Sequence, residues 1–137
     1  MNEKLFDEFK KLNLPLDEYA IVSSGPLGIR SLREIGDIDL IVTDKLWQEL
    51  KEKYPIVSEG GVTKIKIAEK IEALSADSFG NVISSPSIEE QINQSEIIDG
   101  MSFQSLRHVI LFKKRLGRPK DLKDLALIEE WKARNES

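Results

Sequence analysis

Two aspartates interrupt a run of residues that otherwise has the composition of a buried strand. Asp37 precedes, and Asp39 lies within, the run from Ile38 to Thr43, whose other members are apolar or β-branched. Because successive side chains of a strand point to opposite faces, Asp37 and Asp39 share one face. Adjacent like charges repel each other, and Asp is disfavoured in strands. The pattern therefore predicts a compensating cation, most simply a divalent metal ion held by both carboxylates and by phosphate oxygens.

The residues before these aspartates predict a strand, a glycine turn and a short helix. The run from Tyr19 to Val22 is apolar and partly β-branched, as expected of a buried strand. The residues from Gly25 to Ile35 then supply the turn and the helix. The two predicted strands are thus joined by a connection that begins at a glycine and ends at the first aspartate.

This arrangement resembles the nucleotidyltransferase superfamily, which has the polymerase-beta-like fold. Members of that superfamily carry Gly-Ser at a strand end, a short helix, and Asp-x-Asp on the next strand. Here Gly25, the ten residues from Leu27 to Gly36, and the pair Asp37 and Asp39 follow that spacing. The resemblance implies that both aspartates hold Mg²⁺ or Mn²⁺ and that the substrate is an NTP.

The chain departs from the superfamily signature at position 26. The residue after the glycine is usually Ser, whose hydroxyl and amide bind the triphosphate, whereas Pro26 has neither a hydroxyl nor an N–H. Ser23 and Ser24 lie directly upstream and are the candidates to replace it. We therefore expect Ser24 and Gly25 to line the nucleotide site.

The resemblance also implies a third carboxylate on a neighbouring strand, which would coordinate metal and activate the attacking hydroxyl. Glu72 is the first candidate because it is an acid within an apolar β run, although the superfamily more often has Asp there. Asp77, five residues later in a loop, is the alternative. In a third interpretation, Glu72 is an ordinary solvent-facing strand residue among lysines.

A lysine occupies the apolar side of a predicted helix near the C-terminus. On a helical wheel at about 100° per residue, Lys113 falls in the arc formed by the apolar residues, which are Leu106, Val109, Ile110, Phe112 and Leu116. An ammonium group there loses hydration unless it meets a partner or an anion. Either Lys113 points into a cleft toward a triphosphate, or its long side chain snorkels to the surface.

The residues after Lys113 strengthen the resemblance. The run from Gly117 to Leu125 reads Gly-Arg-Pro-Lys-Asp-Leu-Lys-Asp-Leu, and it is similar to the C-terminal helices of abortive-infection toxin-type nucleotidyltransferases. The resemblance implies that Lys113 is an active-site group that, with Arg118, neutralises charge on the phosphates. It also implies that Asp121 and Asp124 support the site.

Both of these aspartates also have structural interpretations. Pro119 suits the first position of a helix, so Asp121 falls in the first turn, where the helix dipole favours a carboxylate. Asp124 shares a helix face with apolar residues, and a buried acid there should pair with Arg118 or Lys113.

The remaining candidates allow a functional and a structural interpretation. Arg30 and Arg33 lie between the glycine turn and the aspartates, where they either contact phosphate or remain solvated on a short helix. Trp47 and Trp131 have the spacing of core or edge residues. His108, the single histidine, falls opposite the apolar stripe of its helix, which predicts a surface position and no role as a catalytic base.

Composition limits the chemistry that is available. The chain of 137 residues has no cysteine, which excludes disulfides, thiolate zinc sites and a cysteine nucleophile. A net charge of −4 argues against general nucleic-acid coating, although residues 104–120 carry six Lys/Arg and no acid, which suits an anionic substrate. Because no apolar run approaches membrane-spanning length, we expect a cytoplasmic protein without membrane contact.

The predicted fold is α/β, of the α+β type, with a small mixed sheet and helices packed mainly on one face. One nucleotidyltransferase-like domain is expected over residues 1–137. Asn2, Asp44 and Ser87 are the expected helix N-caps. Helices are predicted over 2–13, 45–54, from 88 onward, 105–116 and 119–134, and strands over 19–23, 37–43, 62–67 and 71–74, with a hairpin over 96–103.

The resemblance implies a Mg²⁺-dependent transfer of NMP from an NTP to a hydroxyl of RNA, a protein or a small molecule. Two alternatives remain open. In the first, the chain is a catalytically degenerate protein that binds a nucleotide or a partner, which Pro26 and the Glu at position 72 favour. In the second, it is a toxin–antitoxin component whose main role is to bind an antitoxin-like partner.

Overall fold

A computed structural model of the chain describes residues 1–75 and 86–135. Within these ranges the strands form one mixed sheet with the order β3-β4-β5-β2-β1-β7-β6, and helices surround it, which confirms the predicted fold class. The strands are β1 (Tyr19–Val22), β2 (Ile38–Val42), β3 (Ile56–Glu59), β4 (Val62–Ala68), β5 (Ile71–Leu74), β6 (Glu96–Ile98) and β7 (Met101–Phe103). The helices are α1 (Glu3–Lys10), α2 (Gly25–Ile29), α3 (Asp44–Lys53), α4 (Ile88–Asn93), α5 (Leu106–Leu116) and α6 (Pro119–Asn135).

The centre of the sheet determines where the acidic residues lie. Strand β2 pairs antiparallel with β1 and parallel with β5. In this register Asp39 lies directly opposite Val22 on one side and Glu72 on the other. The aspartate predicted to face a cation is therefore at a central position of the sheet, with a second carboxylate on the adjacent strand.

The two faces of the sheet are covered by different helices. Phe6 and Phe9 of α1 and Leu46 and Leu50 of α3 pack on the face that carries Tyr19, Ile21, Ile38 and Leu40. Ile92 of α4 packs on the opposite face, against Ala20, Val22 and Ile41. Since side chains alternate along β2, Asp39 points to the face on which α4 lies.

Helices α5 and α6 form a hairpin that packs against α2. Leu27 of α2 shares a buried cluster with Val109 of α5 and Ile128 of α6. Gly117 ends α5 in the left-handed conformation (φ 58°), and its N–H donates to the carbonyl oxygen of Lys113 at 2.9 Å. This turn brings the start of α6, with its two aspartates, back beside α5.

Several local predictions are confirmed and others are wrong. The two strands joined near residues 68–70, the hairpin over 96–103, and Ser87 as an N-cap are confirmed. Strand β3 was not predicted, because its residues are mostly exposed and show no apolar alternation. Thr43, not Asp44, caps α3 by accepting a hydrogen bond from the N–H of Leu46.

The predicted surface position of His108 is wrong. Its exposed fraction is 4%, and burial lowers the pKa of its imidazole. The wheel of α5 alone could not show that a second surface covers the side opposite the apolar stripe. Both tryptophans are partly buried, as expected of core or edge residues, with Trp47 packed against the main core.

Gly25 has a packing role that can be tested without reference to function. A Cβ atom at this position would lie 2.2 Å from Cγ2 of Ile21, a fully buried β-branched side chain that cannot easily move. We expect Gly25→Ala to lower the free energy of unfolding by about 1–3 kcal/mol, measured by urea denaturation. Gly36→Ala is the matched control, because a Cβ there meets nothing within 4 Å; equal losses for both variants would contradict the packing role.

Candidate functional site

Three carboxylates meet at the central strands. Asp37, Asp39 and Glu72 each offer an oxygen atom, and these three atoms lie within 4.8 Å of one another. Asp39 and Glu72 are held by the parallel pairing of β2 with β5, whereas Asp37 is exposed on the irregular residue before β2. The structure thus brings together the three acids that the sequence nominated, and we call them the acidic triad. Asp77, the alternative to Glu72, lies outside the described residues.

Burial and repulsion within the triad both act on the carboxyl group of Asp39. Burial, followed by the charges of Asp37 and Glu72, raises the pKa of the Asp39 carboxyl to about 6. The charges of Lys64 and Lys120 act in the opposite direction without cancelling this rise. A carboxylate held against such repulsion is typical of a functional site.

Lys64 of β4 partly neutralises the triad. Its Nζ atom lies 3.1 Å from Oε2 of Glu72 and 3.4 Å from Oε2 of Glu59, and the hydrogen bond to Glu72 raises the pKa of the Lys64 ammonium. The Glu72 side chain is 12% exposed, so it is not an ordinary solvent-facing strand residue. The sequence did not nominate Lys64, because its approach to Glu72 depends on the register of β4 against β5.

Lys113 lies in an ion-pair network whose lysine and aspartates are buried and whose two arginines are partly exposed. Its Nζ atom is 2.9 Å from Oδ2 of Asp124 and 3.8 Å from Oδ1 of Asp121. Arg118 binds Asp121 through Nε at 2.6 Å, and Arg33 binds Asp124 through Nε at 2.8 Å and Nη2 at 2.9 Å. We call these five side chains the ion-pair network. Snorkelling of Lys113 to the surface is wrong, since 8% of the residue is exposed.

The network keeps both aspartates ionised and carries an excess positive charge. Burial disfavours the charged form of Asp124, yet hydrogen bonds from Arg33 and Lys113 outweigh it and hold the pKa of this carboxyl below its ordinary value. For Asp121, burial is likewise outweighed by hydrogen bonds from Arg118, and its pKa is also lowered. Three cations therefore face two charged carboxylates in this network.

A small cavity lies beside the ion-pair network at the end of β1. Its volume is about 80 Å³, and its lining includes Val22 and Ser23 together with Lys113, Arg118 and Asp121. Val22 is also the register partner of Asp39 in β2. Ser23 has a left-handed backbone (φ 62°), which is uncommon for a residue with a side chain and occurs often at functional turns.

The predicted phosphate contacts of the glycine turn stay predictions. Ser24 and Gly25 lie at the start of α2, where the Ser24 side chain makes no capping hydrogen bond. Arg30 is held by other groups: its Nη2 atom lies 2.5 Å from Oε2 of Glu96, its Nη1 atom donates to the carbonyl oxygen of Pro26, and its guanidinium lies 5.1 Å from the ring centroid of Trp131. Neither Arg30 nor Arg33 is a freely solvated side chain.

The segment that leads to Asp37 is held on two sides. On one side, Arg33 makes the bidentate contact with Asp124 of α6. On the other side, the Asn2 amide bonds the segment three times: Nδ2 donates to the carbonyl oxygens of Gly28 at 3.2 Å and Arg33 at 3.0 Å, and Oδ1 accepts from the N–H of Ile35 at 3.0 Å. The predicted capping role of the Asn2 side chain is therefore wrong, since it makes no hydrogen bond to α1.

Comparison with protein-family models and with curated proteins gave no match for this chain. The likeness to nucleotidyltransferases therefore rests on the glycine turn, the aspartate pair and the segment from Lys113 to Leu125. Across the two described ranges, every helix is too short or too polar to cross a membrane.

Removing the charge of Asp39 should stabilise the fold above pH 6. The folded pKa of Asp39 is about 6, against an ordinary value of 3.8 in the unfolded chain, so the folded state binds more protons between these values and loses stability as the pH rises through them. We expect Asp39→Asn to raise the free energy of unfolding by about 2 kcal/mol at neutral pH, and to give no gain below pH ~4. Urea denaturation at both pH values measures this, with Asp7→Asn as the control because Asp7 is exposed on α1 and lies outside the triad. An equal stability of wild type and Asp39→Asn at neutral pH would contradict the repulsion.

The pairing of Lys113 with Asp124 predicts non-additive stability changes. Lys113→Met should lower the free energy of unfolding by about 3 kcal/mol, because it leaves two buried carboxylates with one partner fewer. Combined with Asp124→Asn, the loss should fall short of the sum of the single losses by about 1–3 kcal/mol, measured as a double-mutant cycle in urea. The exposed neighbour Lys114→Met is the control and should change stability by less than about 0.5 kcal/mol. Additive losses would show that Lys113 does not depend on Asp124.

Proposed function

We propose that the chain is a minimal nucleotidyltransferase, which binds an NTP with a divalent cation and transfers NMP to a hydroxyl acceptor. The observation that carries the proposal is the acidic triad, in which three carboxylate oxygens converge within 4.8 Å on adjacent strands and Asp39 is held against repulsion. Such an arrangement destabilises the fold in the absence of a cation, and a bound cation would remove the repulsion.

The donor set fits Mg²⁺ or Mn²⁺. Asp37, Asp39 and Glu72 supply hard oxygen ligands, and no soft or imidazole ligand belongs to the cluster. When bound, such a cation neutralises phosphate charge and makes a hydroxyl easier to deprotonate. Mg²⁺ is usually held by one or two carboxylates plus substrate phosphates, so the triad leaves room for the NTP to complete the coordination.

The residues of the chain then have separate tasks in the transfer. The acceptor oxygen forms a bond to the α-phosphorus of the NTP, the bond from that phosphorus to the β-phosphate oxygen breaks, and pyrophosphate leaves. Asp37 and Asp39 hold the cation, and Glu72 completes the site and takes the proton of the hydroxyl. Positive charge for the phosphates comes from the ion-pair network through Lys113 and Arg118, which line the cavity beside Ser23.

Lys120 adds a cation that the sequence did not nominate. It is exposed at the start of α6, and its charge is the smallest of the influences on the pKa of Asp39, which it lowers. An exposed ammonium on this side of α6 is suited to bind phosphate oxygens.

A degenerate protein that binds a nucleotide without catalysis is the second candidate. The observation that favours it is the engagement of Lys113 by Asp121 and Asp124, which leaves this ammonium less able to follow charge that develops on the phosphates. Pro26, which removes an N–H from the glycine turn, acts in the same direction. The toxin–antitoxin role and the identity of the acceptor stay predictions.

Thermal unfolding with each of the four NTPs, with and without Mg²⁺, tests the proposal. Because a ligand that binds the folded state stabilises it by mass action, a hundredfold excess over the dissociation constant adds about 2.7 kcal/mol. We expect a Mg²⁺-dependent rise in Tm with at least one NTP for the wild type and none for Asp37→Asn/Asp39→Asn. Asp7→Asn/Asp17→Asn is the charge-matched control, since both residues are exposed on other elements, and it should respond as the wild type does.

A transfer assay separates the two candidates. The NTP that stabilises the protein would be supplied with an α-phosphate label, and release of pyrophosphate would be followed in the presence of RNA, protein and small-molecule acceptors. Nucleotide binding without pyrophosphate release would favour the degenerate protein. The absence of a Tm shift with every NTP would overturn both.

A further inference from the structure

Asp37 belongs to the irregular segment of residues 30–37 and lies outside the strand pairing that positions Asp39 and Glu72. Asp39 and Glu72 are positioned by strand pairing, but Asp37 precedes β2, and the first backbone contact of that strand with β5 is the N–H of Ile38 bonded to the carbonyl oxygen of Lys70 at 2.8 Å. The carboxylate of Asp37 nonetheless lies within 4.8 Å of the other two. Its position therefore depends on whatever fixes the segment before it.

One side chain bonds three backbone groups, two of them in this segment and one in α2. Asn2 uses its Nδ2 donors on the carbonyl oxygens of Gly28 and Arg33 and its Oδ1 acceptor on the N–H of Ile35. These contacts join the end of α2 to the residues that lead into Asp37. An amide side chain is suited to this because it carries donors and an acceptor at one end.

The backbone of Asn2 adopts an unfavourable conformation while its side chain makes these bonds. Its φ of 71° lies in the left-handed region, which is costly for a residue with a side chain, although Asn tolerates it better than most. Asn2 stands at the N-cap position of α1, where an Asn side chain would normally accept a helix N–H, but it does not do so. The side chain is thus directed to the segment and away from the helix.

The opposite side of the segment is fixed independently. Arg33 is bound by both oxygens of Asp124, and Asp124 is itself buried and bonded to Lys113. Ile35 also folds back on α2, since a Cβ at Gly28 would lie 2.8 Å from Cδ1 of Ile35. Asn2 therefore holds the segment on the side away from Asp124, and its contact with Ile35 lies two residues before Asp37.

We infer that Asn2 is a positioning residue for the acidic triad, which it serves by holding the segment that carries Asp37. The inference rests on the proposed function, because it assigns the triad a cation. Removing the amide substitutes none of the three carboxylates, but it frees Asp37 to move away from the other two. Divalent cation affinity should therefore fall although no ligand has been changed.

Titration with Mn²⁺ alone, followed by the EPR signal of the free ion, tests the inference. Asn2→Gly is the main variant, since glycine suits the left-handed backbone and removes only the side-chain bonds. We expect its Mn²⁺ affinity to fall about tenfold, at the lower end of the losses seen when groups that orient metal ligands are removed. Asn2→Ala should show the same loss of affinity, with an additional loss of stability from the left-handed backbone.

Thr43→Ala is the matched control for a general loss of stability. Thr43 caps α3 at the far end of β2 from Asp37, and losing this cap lowers the stability of the fold. We expect the Mn²⁺ affinity of this variant to equal that of the wild type. Equal weakening in Thr43→Ala and Asn2→Gly would show that Asn2 contributes only to stability, and would overturn the inference.

Amide hydrogen exchange of the 30–37 segment separates the remaining outcomes. Faster exchange at Ile35 in Asn2→Gly, together with weaker Mn²⁺ binding, supports the inference. Faster exchange with unchanged Mn²⁺ binding overturns it and leaves the proposed function standing. A wild type that binds no Mn²⁺ overturns the proposed function, and the positioning role falls with it.

Discussion

The parallel pairing of β2 with β5 is the constraint on which the rest of this structure depends. It sets Asp39 directly beside Glu72 at the centre of the sheet, where burial and repulsion raise the pKa of Asp39 to about 6. Ile41, the next residue of β2 on the same face, is buried and apolar, so a charged carboxylate at position 39 conflicts with its surroundings. This local conflict between charge and burial is the observation on which the proposed cation site rests.

The ion-pair network contributes to the positions of chain segments more than to net stability. Buried ion pairs seldom add net stability compared with apolar packing, since desolvation offsets their attraction. Their geometric demands are strict, however, and here Asp124 accepts from Lys113 of α5 and from Arg33 of the segment before β2. The network thus fixes the helical hairpin relative to the segment that carries Asp37. Asn2 restrains the same segment from the side of α1.

Periodicity found the acidic triad but not the groups around it. Alternation predicted that Asp37 and Asp39 lie together, which they do although Asp37 precedes the strand, and an acid in an apolar run was sufficient to find Glu72. The approach of Lys64 to Glu72 depends on strand register, and the bonds of Asn2 span up to 33 positions in the chain, so neither has a local signal. His108 was placed wrongly because a wheel describes one helix and not the surfaces packed around it.

The two charged groups have opposite signs. The triad carries three carboxylates on and beside β2 and β5, and the network carries an excess cation beside the cavity that Val22 and Ser23 line. Val22 in turn pairs with Asp39 of β2. A metal–triphosphate ligand presents both a cation and anionic oxygens, and it would match both groups at once. A free metal ion or a free anion would match only one. This complementarity, more than any single residue, favours a nucleotide as the ligand of the site.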